Sequence, residues 1–101
     1  MEDVIAKFKS WDDVLALIEF AFKNNEHDLL LNILLTEDER VALTSRANIL
    51  DLLLNSEMSQ RNISKLLGVG VATITRGSNE LKRTDEQTKK TIQKLISSAV
   101  N

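Results

Sequence analysis

The 101-residue chain has no proline and only three glycines, and all three glycines fall between residues 68 and 77. Proline and glycine are the residues that most readily stop a helix. Helix is therefore free to run through the rest of the chain, and the sequence predicts an all-α fold. The stretch that holds the glycines reads as two short helices around a turn. Ser59 is a suitable N-cap for the first. Ile63, Leu66 and Leu67 recur at helical spacing and predict its inward face. Gly68-Val69-Gly70 supplies the reversal, because glycine reaches backbone angles closed to other residues. Ala72 and Ile74 are the apolar members of the second helix. Two short helices joined by a Gly-containing turn are the signature of a helix-turn-helix, placed here at about residues 59–82.

The flanking sequence supplies helix starts. Residues 1–9 predict an N-terminal arm, and residues 10–101 a single helical domain. Ser10, followed by Asp12 and Asp13, fits the start of a helix that runs to about Lys23. Residues 24–28 form a polar break, which places His27 in an exposed loop. Residues 29–35 are apolar but for Asn32 and predict a short buried helix; a strand there would have no visible partner. Thr36-Glu37-Asp38-Glu39 is a capping box for a helix ending near Leu54. A second box is predicted at residues 84–87, before a last helix that ends near Ser97.

The apolar stripe of the first helix is Trp11, Val14, Leu15, Ile18, Ala21 and Phe22, with Leu17 and Phe20 outside it. Residues 29–35 and 49–54 are likewise too apolar for helices covered on one side. This excess predicts a homodimer built largely from the N-terminal half. Helix-turn-helix dimers place two recognition helices one DNA turn, ~34 Å, apart.

Net charge is −2, which by itself argues against nucleic acid. The distribution argues for it. Residues 1–58 hold five Lys/Arg against twelve Asp/Glu, whereas residues 59–101 hold eight against three. Positive charge begins where the helix-turn-helix begins, the pattern of a surface that faces phosphates. No cysteine is present, so disulfide and thiolate chemistry are excluded. The lone histidine stands apart from any nucleophile, and the acidic clusters serve helix starts, so neither an enzyme nor a metal site is expected. No apolar run reaches the roughly 20 residues of a membrane span. The first residues are acidic and lack a signal-peptide core. A cytoplasmic location follows.

Three runs are more specific: residues 36–43, residues 57–61 and, above all, Ala72-Thr73-Ile74-Thr75-Arg76-Gly77-Ser78-Asn79. They closely resemble the bacterial trp operon repressor family over roughly residues 11–95. The resemblance implies an intertwined homodimer of about six helices per chain that represses tryptophan biosynthesis genes. It implies L-tryptophan as corepressor, with no other cofactor, and operator double-stranded DNA as partner. By the same resemblance Arg46 and Arg76 flank the indole, and Arg76 also pairs with the ligand carboxylate beside Thr36. Backbone carbonyls of Ile33 and Leu35, from the other chain, receive the ammonium. Guanidinium suits these roles, since it stacks on aromatic faces and binds carboxylates bidentately.

On the DNA side, the resemblance assigns Arg61 to a guanine edge. Val71, Ala72 and Thr73 open the recognition helix and reach bases. Gln60, Ser64, Lys65, Thr75 and Ser78 are candidates for phosphate contacts, which position rather than specify. For Lys65 simple solvation competes with that role. Departures from the family pattern fall at Glu80 (serine in the pattern), Ser64 (lysine), Thr44 (glycine) and Val69 (a smaller residue). Glu80 has three readings: it receives the ligand ammonium, pairs with Arg76 one turn earlier, or faces water. Lys65 is placed to take over the phosphate contact from Ser64. Two other functions compete: a regulator of this fold with another ligand or none, and a helical adaptor that no longer binds DNA.

Overall fold

The computed structural model describes residues 4–100, and these are all-α. Six helices follow in order: α1 Trp11–Lys23, α2 His27–Leu34, α3 Glu37–Asn55, α4 Gln60–Leu67, α5 Val71–Lys82 and α6 Glu86–Ala99. Of the predicted arm, residues 1–3 lie outside the described residues, as does Asn101 at the end of the predicted domain. Residues 4–9 are non-helical and exposed. The chain divides into two units, with the boundary between Arg40 and Val41.

Most helix starts follow from hydrogen bonds the sequence announces. The Ser10 hydroxyl accepts from the Asp13 amide at 3.4 Å. The Thr36 box is complete: the Glu39 amide donates to Thr36 Oγ1 at 3.1 Å, and the Thr36 amide donates to Glu39 Oε1 at 2.9 Å. Ser59 Oγ accepts from the Asn62 amide at 3.1 Å. The last cap lies one residue later than expected. Asp85, not Thr84, is the N-cap, and its carboxylate accepts from the Thr88 amide at 2.7 Å and from the Thr88 hydroxyl at 3.0 Å. Thr84 instead closes the end of α5, donating its hydroxyl to the Glu80 carbonyl at 2.8 Å. Aspartate outcompetes the neighbouring threonine because a charged acceptor makes the stronger cap bond.

The α6 start carries a pH dependence. Bonds from the Thr88 amide and hydroxyl hold the Asp85 carboxyl below its ordinary 3.8. The Lys89 ammonium, 2.9 Å from the Glu86 carboxylate, holds Glu86 below its ordinary 4.5. Both groups are depressed in the folded chain. Their contributions are present above the ordinary values and are lost as pH falls through the depressed folded ones. Asp85→Asn keeps an oxygen cap but does not titrate. The variant is expected to lose less thermal midpoint than the parent between about pH 7 and about pH 3. Equal losses would remove Asp85 from the acid limb.

In the first unit, α1 and α2 meet at a tight corner. Asn25 takes a left-handed φ of 57°, which asparagine tolerates better than most residues. The Glu26 amide then reaches back to the Ala21 carbonyl at 2.7 Å. Residues 29–35 are helical rather than extended, but α2 starts earlier than expected. His27 therefore opens a helix instead of lying in a loop. It is half-buried, its ring 4.7 Å from Phe22. Arg40 Nη1 donates to the Asn32 and Leu35 carbonyls at 3.0 and 2.9 Å, closing the C-terminus of α2.

Of the predicted α1 stripe, Ala21 is buried, and Val14 and Ile18 are half-buried. Trp11, Leu15 and Phe22 are exposed, as are Phe20, Leu29 and Ile33, the last at 87%. The helix predicted to be buried at residues 29–35 is thus only partly covered by its own chain, with Leu30, Leu31 and Leu35 half-buried.

The second unit has a true core. Ile49 of α3, Ile63 of α4 and Ile74 of α5 are packed together, with Leu52, Leu53, Met58, Leu67 and Val69 around them. Ile63 and Ile74 are fully buried. Gly77 lets α5 lie close on α3, since a Cβ there would stand 3.2 Å from Ile49 Cγ2. α6 is fastened to the end of α3 by Gln93 Nε2, which donates to the Leu54 carbonyl at 2.9 Å. Leu66, expected to face inward, is 63% exposed. It lies on the outer side of α4, and Ile63 and Leu67 alone serve the core.

Candidate functional site

The three residues Gly68, Val69 and Gly70 join α4 to α5. Gly68 supplies the reversal, with a left-handed φ of 68°. Gly70 has an ordinary φ of −65° and is the N-cap of α5, so its flexibility is not what turns the chain. Ser64 braces the turn: its hydroxyl donates to the Val69 carbonyl, and its own carbonyl accepts from the Gly68 and Val69 amides. The start of α4 is tied to α5 by Thr75 Oγ1, which donates to Gln60 Oε1 at 2.9 Å.

These bonds divide the polar residues of the motif. A phosphate oxygen needs donors. The Ser64 and Thr75 protons are committed inside the unit, so both side chains set geometry rather than offer a donor outward. The Gln60 amide nitrogen remains a donor. Arg61, Lys65, Ala72 and Thr73 are exposed, Val71 is 47% exposed and Ser78 half-buried. Gly70 gives α5 no side-chain cap. The Thr73 amide donates to the Gly70 carbonyl at 3.0 Å, and the Val71 and Ala72 amides keep donor capacity at the positive end of the helix, a geometry suited to anions.

The electrostatics of the unit are one-sided. Residues 59–84 hold five basic side chains and one acidic, Glu80. Among the described residues Arg61, Lys65, Arg76 and Lys82 form no ion pair, while Glu80 pairs with Arg83 three residues on. Glu80 does not pair with Arg76; it faces water, with Arg83 as its partner. Arg83 was not singled out by the sequence reading, although its i,i+3 spacing from a lone acid was the available signal.

The other candidate ligand residues are distributed over both units. Ile33, Leu35 and Thr36 belong to the first, and Arg46, Arg76 and Glu80 to the second. The Leu35 carbonyl already accepts from Arg40 of its own chain; its second lone pair remains. Thr36 uses its oxygen as an acceptor in the capping box and keeps its proton to donate. Arg46 and Arg76 are exposed on α3 and α5, and neither has an ion-pair partner among the described residues. No group of three His, Asp or Glu that would hold a metal occurs among the described residues, nor does a helix long and apolar enough to cross a membrane.

Fold and motif together define a small all-helical protein that carries a helix-turn-helix with a basic surface. Comparison with known families matches residues 9–96 to the Trp repressor protein family. Three relatives are each called Trp operon repressor homolog. That of Vibrio cholerae serotype O1 is 51% identical over 89 residues, 88% of this chain and 86% of the relative. That of Photobacterium profundum is 52% identical over 91 residues, 90% and 88% of the two chains. That of Aliivibrio salmonicida is 58% identical over 83 residues, 81% and 77%. The chain belongs to the Trp repressor protein family.

Proposed function

We propose that this chain is a homodimeric, sequence-specific repressor of tryptophan biosynthesis genes that binds operator DNA when L-tryptophan is bound. The observation that carries the reading is the family match over residues 9–96. Two features of the chain support it. On α4 and α5, Arg61, Lys65, Arg76 and Lys82 form no ion pair among the described residues. A large apolar surface on α1 and α2 is left open by the single chain. Such a surface on a small soluble domain marks an association site, and a second copy supplies an equally apolar one.

In this reading Arg61 reads a guanine edge, and Val71, Ala72 and Thr73 face the bases. Gln60, Lys65 and Ser78 hold phosphates, while Ser64 and Thr75 fix the angle between the two helices. Lys65 takes the phosphate role because the Ser64 proton is turned inward. Arg46 and Arg76 sandwich the indole, Thr36 and Arg76 meet the ligand carboxylate, and the Ile33 and Leu35 carbonyls with Glu80 meet its ammonium. Glu80 favours a second reading, a regulator of the same fold with a different ligand, because a carboxylate there selects for cationic groups.

Fluorescence anisotropy on a trp operator fragment at fixed salt, with and without L-tryptophan, separates the readings. At least a tenfold gain in affinity with L-tryptophan is expected, about 1.4 kcal/mol of coupling. Binding without a gain removes the corepressor. Absence of binding at low salt leaves a helical adaptor. Sedimentation of the same sample is expected to give a dimer, and a stable monomer would overturn the proposed assembly.

A further inference from the structure

We propose that Arg83 is a positioning residue: it holds the Glu80 carboxylate away from Arg76 and so keeps the Arg76 guanidinium available to an anionic ligand group. The inference rests on the reading of Arg76 as part of the ligand site. Glu80 has two arginines within reach on its own helix, Arg76 four residues before it and Arg83 three residues after. The structure pairs it with Arg83. Three physical reasons favour that choice. An acid placed N-terminal to its base is the better order on a helix, and Arg76 to Glu80 is the reverse order. Arg83 is the C-cap of α5, at the negative end of the helix dipole, where a cation is favoured. Its backbone is also fixed there, its amide donating to the Asn79 and Glu80 carbonyls at 3.3 and 3.2 Å.

The consequence lies one turn back. A guanidinium already bound to a carboxylate on its own helix would have to exchange that partner for the ligand's. Arg76 is exposed and has no ion pair among the described residues, so it meets a ligand carboxylate with its bidentate face open. Without Arg83, the only acid of residues 59–84 is left one turn from Arg76 and becomes its internal competitor. The side chains of Glu80 and Arg83 are both 71% exposed, and exposed pairs are weak. The effect on ligand affinity is therefore a few-fold rather than a complete loss.

Calorimetric titration tests this with L-tryptophan and with indole-3-propionate, which keeps the carboxylate and lacks the ammonium. Arg83→Ala is expected to weaken indole-3-propionate by roughly two- to five-fold. Arg83→Lys should restore most of that affinity, and the loss should vanish when Glu80→Gln is present in the same chain. A loss that persists beside Glu80→Gln would overturn the proposal, as would unchanged affinity in Arg83→Ala. A ligand-free readout runs in parallel. The Nε–Hε resonance of Arg76 should move in Arg83→Ala and return when Glu80→Gln is added. If the parent protein binds neither compound, the ligand-site reading fails, and an unmoved Arg76 resonance overturns the role of Arg83 independently.

Discussion

Replacing Ile63 by alanine is expected to destabilise the protein by about 2–5 kcal/mol, the range for emptying a closed apolar site. Ile63 is fully buried, at the meeting of α3, α4 and α5, between Ile49 and Ile74. The surrounding residues have little room to collapse, because α5 already lies against α3 at Gly77, where even a Cβ would press on Ile49. Domains of this size are stable by only about 5–15 kcal/mol, so the loss is a large fraction of the whole. Leu66→Ala, three residues away on the same helix, provides the contrast. At 63% exposure its loss is expected to stay within about 0.5 kcal/mol. Urea unfolding at one fixed protein concentration measures both, since association makes apparent stability depend on concentration. A similar cost for the two variants would mean that Leu66 is covered in solution and that the core of the second unit is wider than Ile49, Ile63 and Ile74.

That contrast also marks where the sequence stops being legible. Features fixed within four residues were readable: the Thr36 box, the Ser10 and Ser59 caps, and the left-handed residue at Gly68. Each is a short-range hydrogen bond or a single backbone angle, and the residue types that make it are few. Burial is a property of neighbours. Ile63, Leu66 and Leu67 carry the same signal in the sequence, yet only two of them meet α3 and α5. The same holds for α1, where Trp11 and Ala21 share one stripe but differ in exposure. The cap at Asp85 was missed by one position because Thr84 and Asp85 both fit a start signal, and the choice depends on which acceptor is stronger. Glu80 has three readings in the sequence for a related reason. Spacing allows Arg76 as a partner, whereas helix polarity and the order of charges favour Arg83. His27 moved from loop to helix because α2 begins before its apolar run does. For the candidate site, the proposed residues rest on the family resemblance, while the commitment of the Ser64 and Thr75 protons comes only with coordinates.

Arg76→Ala is expected to abolish the response of operator binding to L-tryptophan while leaving the fold almost untouched. The two halves of that expectation have separate grounds. Arg76 is exposed and has no ion pair among the described residues, so its removal breaks no structural bond and should change stability by no more than about 0.5 kcal/mol. In the proposed site, however, its guanidinium meets both the indole face and the ligand carboxylate. Without it the ligand loses the contact that distinguishes the bound state, and a ligand with no differential affinity shifts no equilibrium. The tenfold gain, about 1.4 kcal/mol, should fall to none. Arg61→Ala separates this from a general loss of DNA binding. It is expected to weaken the operator complex by about 1–3 kcal/mol both with and without L-tryptophan, because the side chain would act on a base edge rather than on the ligand. Anisotropy measured for both variants under the same salt gives a crossed result: one variant keeps affinity and loses the response, the other loses affinity and keeps the response. If Arg76→Ala retained the full tryptophan gain, the ligand would have to lie elsewhere than against α5. The exposed, unpaired guanidinium would then belong to the DNA surface alongside Arg61 and Lys65.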